Sequence, residues 1–493
     1  MRIILTTLVV AVVFSSGRTA HAAPGSFNSS DPLLNRIWTA SVRTATNMIA
    51  SGPLVTDAEG RPCAIALPTV LLDGNVRDRC PYVGDQVVTG MTLLVSTPSV
   101  APVLRNMILW YAENQHEDGA IPASPSQAGG VVFFDYNAFW VEDLYDYVLY
   151  TGDLALAHQV WPNLVRLMDG WYPAQAGPAD LLVNSLGPFD YAYIPRAGTT
   201  VAYFNAGYVR ALRLAARIAT WLGQPVPAAA WLARIAPIAA TFTGAFWDPA
   251  AGAFKDTTTG PIVHPEDGNA FAILSGLATR KQGRSALDYL SWHDSQPDGA
   301  TIADNETWDG YPWGFQASQR VYPFMSYFEV LARYAVGFDT SALNLIRVEW
   351  GAMIEQAPQS TMWETIGADG TTPTGSDPSW DHGWSSGAAP ALTTEVLGVT
   401  PATPGFASFA AEPHPSTLAR ARGNVPTPHG TIQFAWSLIG KTFTVKVNSP
   451  RPGTITLPVA GSVSLDGGPT RTEPLGAVVQ VDTGAHTLRV VTS

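Results

Sequence analysis

The fifteen residues LLDGNVRDRCPYVGD, Leu71 to Asp85, hold Asp73, Asp78 and Asp85 beside Arg77, Arg79, Cys80 and Tyr82, in a chain that is only 14% charged. Gathering anions costs Coulomb energy unless cations interleave, and Arg77 and Arg79 supply that compensation. A solvated loop capping a helix would account for the charges. The apolar flank LPTVLLDG and the cysteine point instead to a partly buried cluster. A second candidate is STMWETIG, where Glu364 follows Trp363, with Asp381, His382 and Trp384 further along. A carboxylate beside an indole loses hydration and holds its proton more tightly. Two further stretches mix carboxylates and aromatics: Asp135, Tyr136, Trp140 and Glu142, and then Asp304, Glu306, Trp308, Asp309 and Trp313. Both read equally as helix ends that pack their rings inward. Two separated carboxylates in aromatic loops suit glycoside hydrolysis, in which one protonates the leaving oxygen while the other activates water or attacks the sugar. His382 has no second histidine at ligand spacing, so no metal site is expected, and no cofactor.

These loops need a scaffold. From residue 32 to about 396, apolar residues recur at three- and four-residue spacing, the helical period. Helices are expected at roughly 32–50, 85–97, 99–116, 136–150, 154–171, 201–222, 227–246, 268–279, 282–291, 319–335, 339–356 and 383–396. Asp31, Ser99 and Asp153 are candidate N-caps, and Pro32 suits a first helical turn. Twelve helices make six hairpins, so the expected architecture is mainly α, an (α/α)6 barrel with its site loops at one end. Long ordered loops in a compact domain usually carry function. Here they are 51–84, 117–135, 184–200, 293–316 and 357–384. After Val399 a Pro-containing linker leads to alternating runs such as TIQFAWSL, KTFTVKVNS and HTLRVVT. These predict a small C-terminal β-sandwich over 400–493, read as a structural partner of the barrel with sugar binding as the lesser alternative.

The start, MRIILTTLVVAVVFSSGRTAHA, has a charged residue, an apolar run and Ala20-His21-Ala22. It reads as a signal peptide over 1–22, with a short membrane anchor as the alternative, and leaves 23–399 for the helical domain. No later run of about 18 apolar residues stands out. The expected protein is exported and soluble. A formal charge of −12 argues against nucleic acid and anionic membranes as partners. The 16 Trp and 16 Tyr suit stacking on sugar rings, although most must be core. Cys63 and Cys80, the two cysteines, are expected to form one disulfide that staples the Asp78 loop. Asn28 and Asn305 head glycosylation sequons.

From about residue 30 onward the chain resembles the α-L-rhamnosidases of glycoside hydrolase family 78, among the six-hairpin glycosidases. The resemblance rests on DGNVRDRCPYVGD, FFDYNAFWVEDLYDYVLYTGD, AYFNAGYVRALRLAA, DGNAFAILSG, STMWE, HGWSSGAAPALTTEVLGV and TPHGTIQFAW, in that order. It implies an inverting hydrolase acting on carbohydrate, with Asp78 as general acid, seven residues before Asp85 of a Gly-Asp pair, and Glu364 of the Trp-Glu pair as general base. It further implies that Asp73 and Asp85 bind sugar hydroxyls, that Arg77 balances their charge and that His382 contacts sugar. Tyr82, Phe134, Asp135 and Phe189 fall at or near sugar-facing positions, and Trp140, Trp308, Trp363 and Trp384 are candidate stacking partners. Many members have Glu where this chain has Asp78, and Trp where it has Tyr82. Asp is one methylene shorter, so its loop must approach the sugar more closely. The rival readings are another six-hairpin chemistry, such as a uronide hydrolase or lyase, and a non-catalytic glycan-binding homologue.

Overall fold

The computed structural model describes residues 22–57, 60–75, 79–127, 129–196, 198–308, 320–356, 361–367 and 379–492. Fourteen labels cover its helices among these residues. The first six are α1 (Pro32–Asn47), α2 (Val83–Ser96), α3 (Ala101–Glu113), α4 (Tyr136–Thr151), α5 (Leu154–Arg166) and α6 (Tyr172–Ala174), the last two joined by a wide turn. Next come α7 (Ala202–Trp221), α8 (Pro225–Ala233), α9 (Ile235–Phe246), α10 (Glu266–Leu274) and α11 (Arg280–His293). The series ends with α12 (Pro323–Ala335), α13 (Asp339–Gln356) and α14 (Ala388–Ala391), with tight turns flanking α14 over 383–396.

The expected helices are present, with local differences. Asp31 caps α1 by accepting from the Leu33 amide at 2.9 Å, and Asp153 caps α5 through Leu156. Ser99 caps nothing: it lies within a short 3-10 turn, and α3 starts two residues later without a side-chain cap. The expected helix 227–246 divides at Arg234 into α8 and α9. Together the 22 residues Pro225–Phe246 are long and apolar enough to cross a membrane, contrary to the expectation that no such run exists. Their apolar side nevertheless buries Trp231, Ile238, Phe242 and Phe246, and the Trp231 indole donates to Asp169.

Six helical segments succeed one another in space. α2 packs on α4, α4 on α7, α7 on α10, α10 on α12, and α12 on the segment 383–387, which returns to α2. These six are buried nearly all round: α2, α4, α7, α10 and α12 have few exposed positions and 383–387 is buried throughout. A helix apolar on all sides belongs in an interior. The amphipathic α1, α3, α5, α11 and α13 alternate with them in the chain and expose one face.

The C-terminal region forms two sheets. The larger has seven strands in the order Ser26–Ser29, Arg420–Thr427, Gly430–Ile439, Thr442–Ser449, Gly484–Val491, Gly461–Leu465, Arg471–Glu473, all antiparallel. The smaller has four: Val399–Pro401, Phe409–Ala411, Gly453–Thr456, Val478–Val481. Two features escape the alternation rule. Thr400 and Pro401 are strand rather than linker, and proline is tolerated because that strand is an edge. The strand Ser26–Ser29, far ahead in sequence, completes the larger sheet.

Candidate active site

Asp73, Asp85 and His382 come from three separate stretches of chain and meet in one buried place. The short strand Val70–Leu71 pairs with Ile49–Ala50 and delivers Asp73. Asp85 sits in the first turn of α2, where the amide dipoles favour an anion. His382 is fixed by main-chain bonds on both sides: its amide donates to the Met362 carbonyl at 2.9 Å, and the Gly383 amide donates to the Asp73 carbonyl at 3.1 Å. The Asn75 amide adds a 3.0 Å bond to the Asp381 carbonyl, while the Asn75 and Asn47 side chains both donate to the Asp381 carboxylate. The stretches around 73–75 and 381–383 are thus sewn together edge to edge.

Two glycines permit this closeness. A Cβ on Gly84 would lie 2.3 Å from the Tyr136 ring, so only glycine lets that ring lie against the first turn of α2. A Cβ on Gly383 would meet Thr89 Oγ1 at 2.4 Å, on the next turns of α2. The result is a compact polar group. His382 Nε2 lies 3.1 Å from Asp73 Oδ1, His382 Nδ1 lies 4.0 Å from Asp85 Oδ1, and the Tyr136 hydroxyl donates to Asp85 Oδ2 at 3.0 Å. Burial pushes the Asp85 carboxyl well above the usual carboxylate range and Asp73 pushes it further, against the opposing pull of His382 and Tyr136. Asp73, Asp85 and His382 each offer one ligand atom within 4.8 Å of the others, a spacing that could hold a metal ion. The same set of acceptors beside an imidazole also suits a polyhydroxy ligand.

Glu364 joins this group through its backbone. Its amide donates to the Ser379 carbonyl at 2.9 Å, and its carbonyl accepts from the Trp384 indole at 2.9 Å. The Trp384 ring in turn lies 4.6 Å from that of His382. Glu364 is half-buried, between the fully buried Trp363 and the exposed rim. Arg77 and Asp78 lie outside the described residues, as do Asp309 and Trp313. The loop bearing 77 and 78 is closed by the Cys63–Cys80 disulfide, with Cα atoms 5.7 Å apart.

An aromatic wall runs away from the polar group in two directions. On one side Tyr82 packs on Phe133 (6.0 Å) and Tyr136, while Phe133 stacks on Phe189 (6.0 Å) and meets Tyr193 edge-on (5.4 Å). Phe189 is 37% exposed, so part of its ring is available to a ligand. On the other side Trp384 stacks on Phe324 (5.1 Å), which touches Tyr191. Tyr191 leads to a second carboxylate cluster. Its amide donates to Asp135 Oδ2 at 3.1 Å, as does the Tyr203 hydroxyl at 3.2 Å, and its own hydroxyl donates to Asp267. At the centre is Arg196, only 1% exposed, which reaches Asp190 (3.3 Å), Asp256 (3.0 Å) and Asp267 (2.8 Å) and lies 4.7 Å from the Trp308 ring centre.

The remaining candidates are placed by the fold as follows. Phe134 is core, stacked on Phe204 at 4.6 Å and packed on Trp171; its neighbour Phe133 is the ring beside Tyr82 and Phe189. Trp140 is fully buried and donates to the Ile108 carbonyl; Trp363 is fully buried beneath Trp380. Trp308 lies buried against Arg196, and Asp135 is buried where it accepts from Tyr191 and Tyr203. Glu142 forms an ion pair with Arg210. Tyr191, Tyr193, Phe324 and Arg196 are absent from the sequence-based candidates. One signal was available: Arg196 is the lone cation in the long loop 184–200, which also holds Asp190, Tyr191 and Tyr193.

Comparison with known proteins bears on the family and the fold. Residues 64–309 match the model of the bacterial alpha-L-rhamnosidase 6 hairpin glycosidase domain, and residues 398–471 match that of the bacterial alpha-L-rhamnosidase C-terminal domain. A search of curated protein sequences yields no match. Among solved structures, the GH78 family rhamnosidase of Bacillus sp. GL1 is similar at 23% identity and TM-score 0.67, over 86% of this chain and 41% of its own. The α-L-rhamnosidase of Streptomyces avermitilis complexed with L-rhamnose matches at 18% identity and TM-score 0.70, over 96% and 42%. The rhamnosidase of Klebsiella oxytoca with rhamnose bound matches at 20% identity and TM-score 0.59, over 76% and 66%. The chain therefore spans well under half the length of the first two. With both domain models matched in order along one sequence, the chain belongs to the bacterial α-L-rhamnosidase family of six-hairpin glycoside hydrolases.

Proposed function

We propose that this protein is an exported, inverting α-L-rhamnosidase that releases terminal rhamnose from a glycan or glycoside. In this reading the succession of buried helices is the inner ring of an (α/α)6 barrel. The observation that carries the proposal is the convergence of Asp73, Asp85 and His382 beside the backbone of Glu364, under a partly exposed aromatic rim. The acceptors Asp73 and Asp85 bind sugar hydroxyls, His382 donates or accepts according to its tautomer, and the rim rings stack on the pyranose face. Asp78 delivers its proton to the glycosidic oxygen as the C–O bond breaks. Glu364 takes a proton from the water whose oxygen bonds to the anomeric carbon from the opposite face. The acid ends as carboxylate, the base as carboxylic acid, and exchange with solvent resets both. Inversion requires room for that water, with the two carboxyls roughly 6.5–9.5 Å apart. The apolar, charge-led N-terminus and the disulfide support export.

The test uses an aryl α-L-rhamnoside. Asp78→Asn and Glu364→Gln should each lower kcat by about 10²–10⁴-fold with KM little changed. Proton NMR should show the β-anomer of rhamnose first. Turnover unchanged in either variant removes that residue from its role, the α-anomer appearing first overturns inversion, and an unsaturated product absorbing in the ultraviolet would mark a lyase instead.

A further inference from the structure

The larger C-terminal sheet has one face packed inward and one open, and the register fixes which residues share the open face. Directly paired residues point the same way, and so do positions two apart along a strand. One row across five strands reads Ser26, Asn424, Gln433, Asn448, Ala485. The adjacent row reads Asn28, Arg422, Ala435, Lys446, Thr487, and the next reads Arg420, Ser437, Thr444, Arg489. Between them the buried Phe27, Phe434 and Val447 face the other way. The first two rows line a groove of about 730 Å³.

Its chemistry differs from that of the rest of the molecule. The three rows carry Arg420, Arg422, Lys446 and Arg489, all exposed, and no Asp or Glu, in a chain of net charge −12. Among the described residues none of these four forms an ion pair. Asp466 beside the groove-lining His486 is paired with it at 2.7 Å. Beside the cations runs a line of amides, Asn424, Gln433 and Asn448, with Asn448 donating to Gln433 at 3.4 Å. Ala435, Ala485 and Ser26 leave space between the longer side chains.

We propose that this groove binds an acidic polysaccharide strand, a chain of uronate sugars, independently of the helical domain's site. Amides pair donor with acceptor, as neighbouring sugar hydroxyls do, and arginine and lysine meet carboxylates through charge-assisted hydrogen bonds. Arg422 and Lys446 stand two strands apart, about 10 Å, which suits a polymer with one charge per sugar ring rather than a denser one. Duplex nucleic acid carries a charge every ~1.7 Å and would meet repulsion from the acidic remainder of the chain, while single strands need aromatic stacking platforms, which these rows lack.

The experiment is affinity electrophoresis of the full chain through gels containing polygalacturonate, its fully methyl-esterified form, or a single-stranded oligonucleotide. Retardation by polygalacturonate is expected, weakened by added salt and absent with the ester. The double variant Arg422→Gln, Lys446→Gln should bind at least about tenfold more weakly. The triple variant Asn424→Ala, Gln433→Ala, Asn448→Ala should bind severalfold more weakly, and aryl rhamnoside turnover should match wild type in both. No retardation of wild type, retardation unchanged in either variant, or tighter binding to the oligonucleotide would overturn the proposal. None of these outcomes depends on whether the helical domain hydrolyses rhamnosides.

Discussion

Two carboxylate clusters lie along the same aromatic wall, and they are built on opposite terms. Around Arg196 three aspartates point at one guanidinium that is 1% exposed, beneath the Trp308 ring. Burial lifts Asp190 to about 6 and Asp256 to about 7, with Arg196 drawing both back down. Around Asp85 the compensating group is a histidine, and a neighbouring carboxylate pushes in the same direction as burial. The first cluster spends its polar groups on one another. The second sets two aspartates against each other beside an imidazole and a phenol, which is costly for folding and useful for a ligand that brings its own hydroxyl donors. Sites that bind are often locally less stable than their surroundings.

The contrast can be broken most forcefully at Arg196. Arg196→Met leaves three buried carboxylates without their cation and should destabilise the fold by about 3–5 kcal/mol, read by denaturant unfolding. A loss below about 1 kcal/mol would show that Arg196 does not hold these carboxylates together. Tyr136→Phe removes the donor to Asp85 and should cost about 1–2 kcal/mol. It should also move the pH profile of rhamnoside hydrolysis, since the Asp85 carboxyl loses a bond that favours its anion.

The smallest effect has the opposite sign. Asp85→Asn should stabilise the protein by about 1 kcal/mol at pH 7 while lowering turnover. The sign follows from proton uptake. The unfolded chain ionises this carboxyl near pH 3.9, whereas the folded chain holds its proton to higher pH. Wild type therefore loses stability as pH rises past about 4. The variant does not, so its advantage should shrink to nothing below that pH. Thermal unfolding from pH 3.5 to 8 tests this, and a variant less stable than wild type across that range would refute it.

Much of this was legible in the sequence where one period dominates. Asp31 and Pro32 mark the start of α1, and the period of three and four residues marks α13 end to end. The stretches holding Asp73, Asp85, Glu364 and His382 stood out because charge and aromatics crowd into loops of an otherwise apolar chain. What was not legible depends on direction. Phe133 and Phe134 are adjacent and both buried, and only the backbone turn before α4 decides which ring faces Tyr82 and Phe189. Trp140 and Trp363 carry the residue type of a sugar platform, yet both are fully buried, one against α3 and the other beneath Trp380. Arg196 has no periodic context, and its three aspartate partners come from three separate segments, at positions 190, 256 and 267.

The strand Ser26–Ser29 has a consequence for how the molecule is made. Its Asn424 partner is separated from Ser26 by 398 positions, so a growing chain exposes this edge long before anything exists to zip onto it. Non-local pairings of this kind close slowly, and an unpaired strand is prone to wrong partners in the interval. The order of synthesis thus makes this strand wait for residues 420–427 before its edge can be covered.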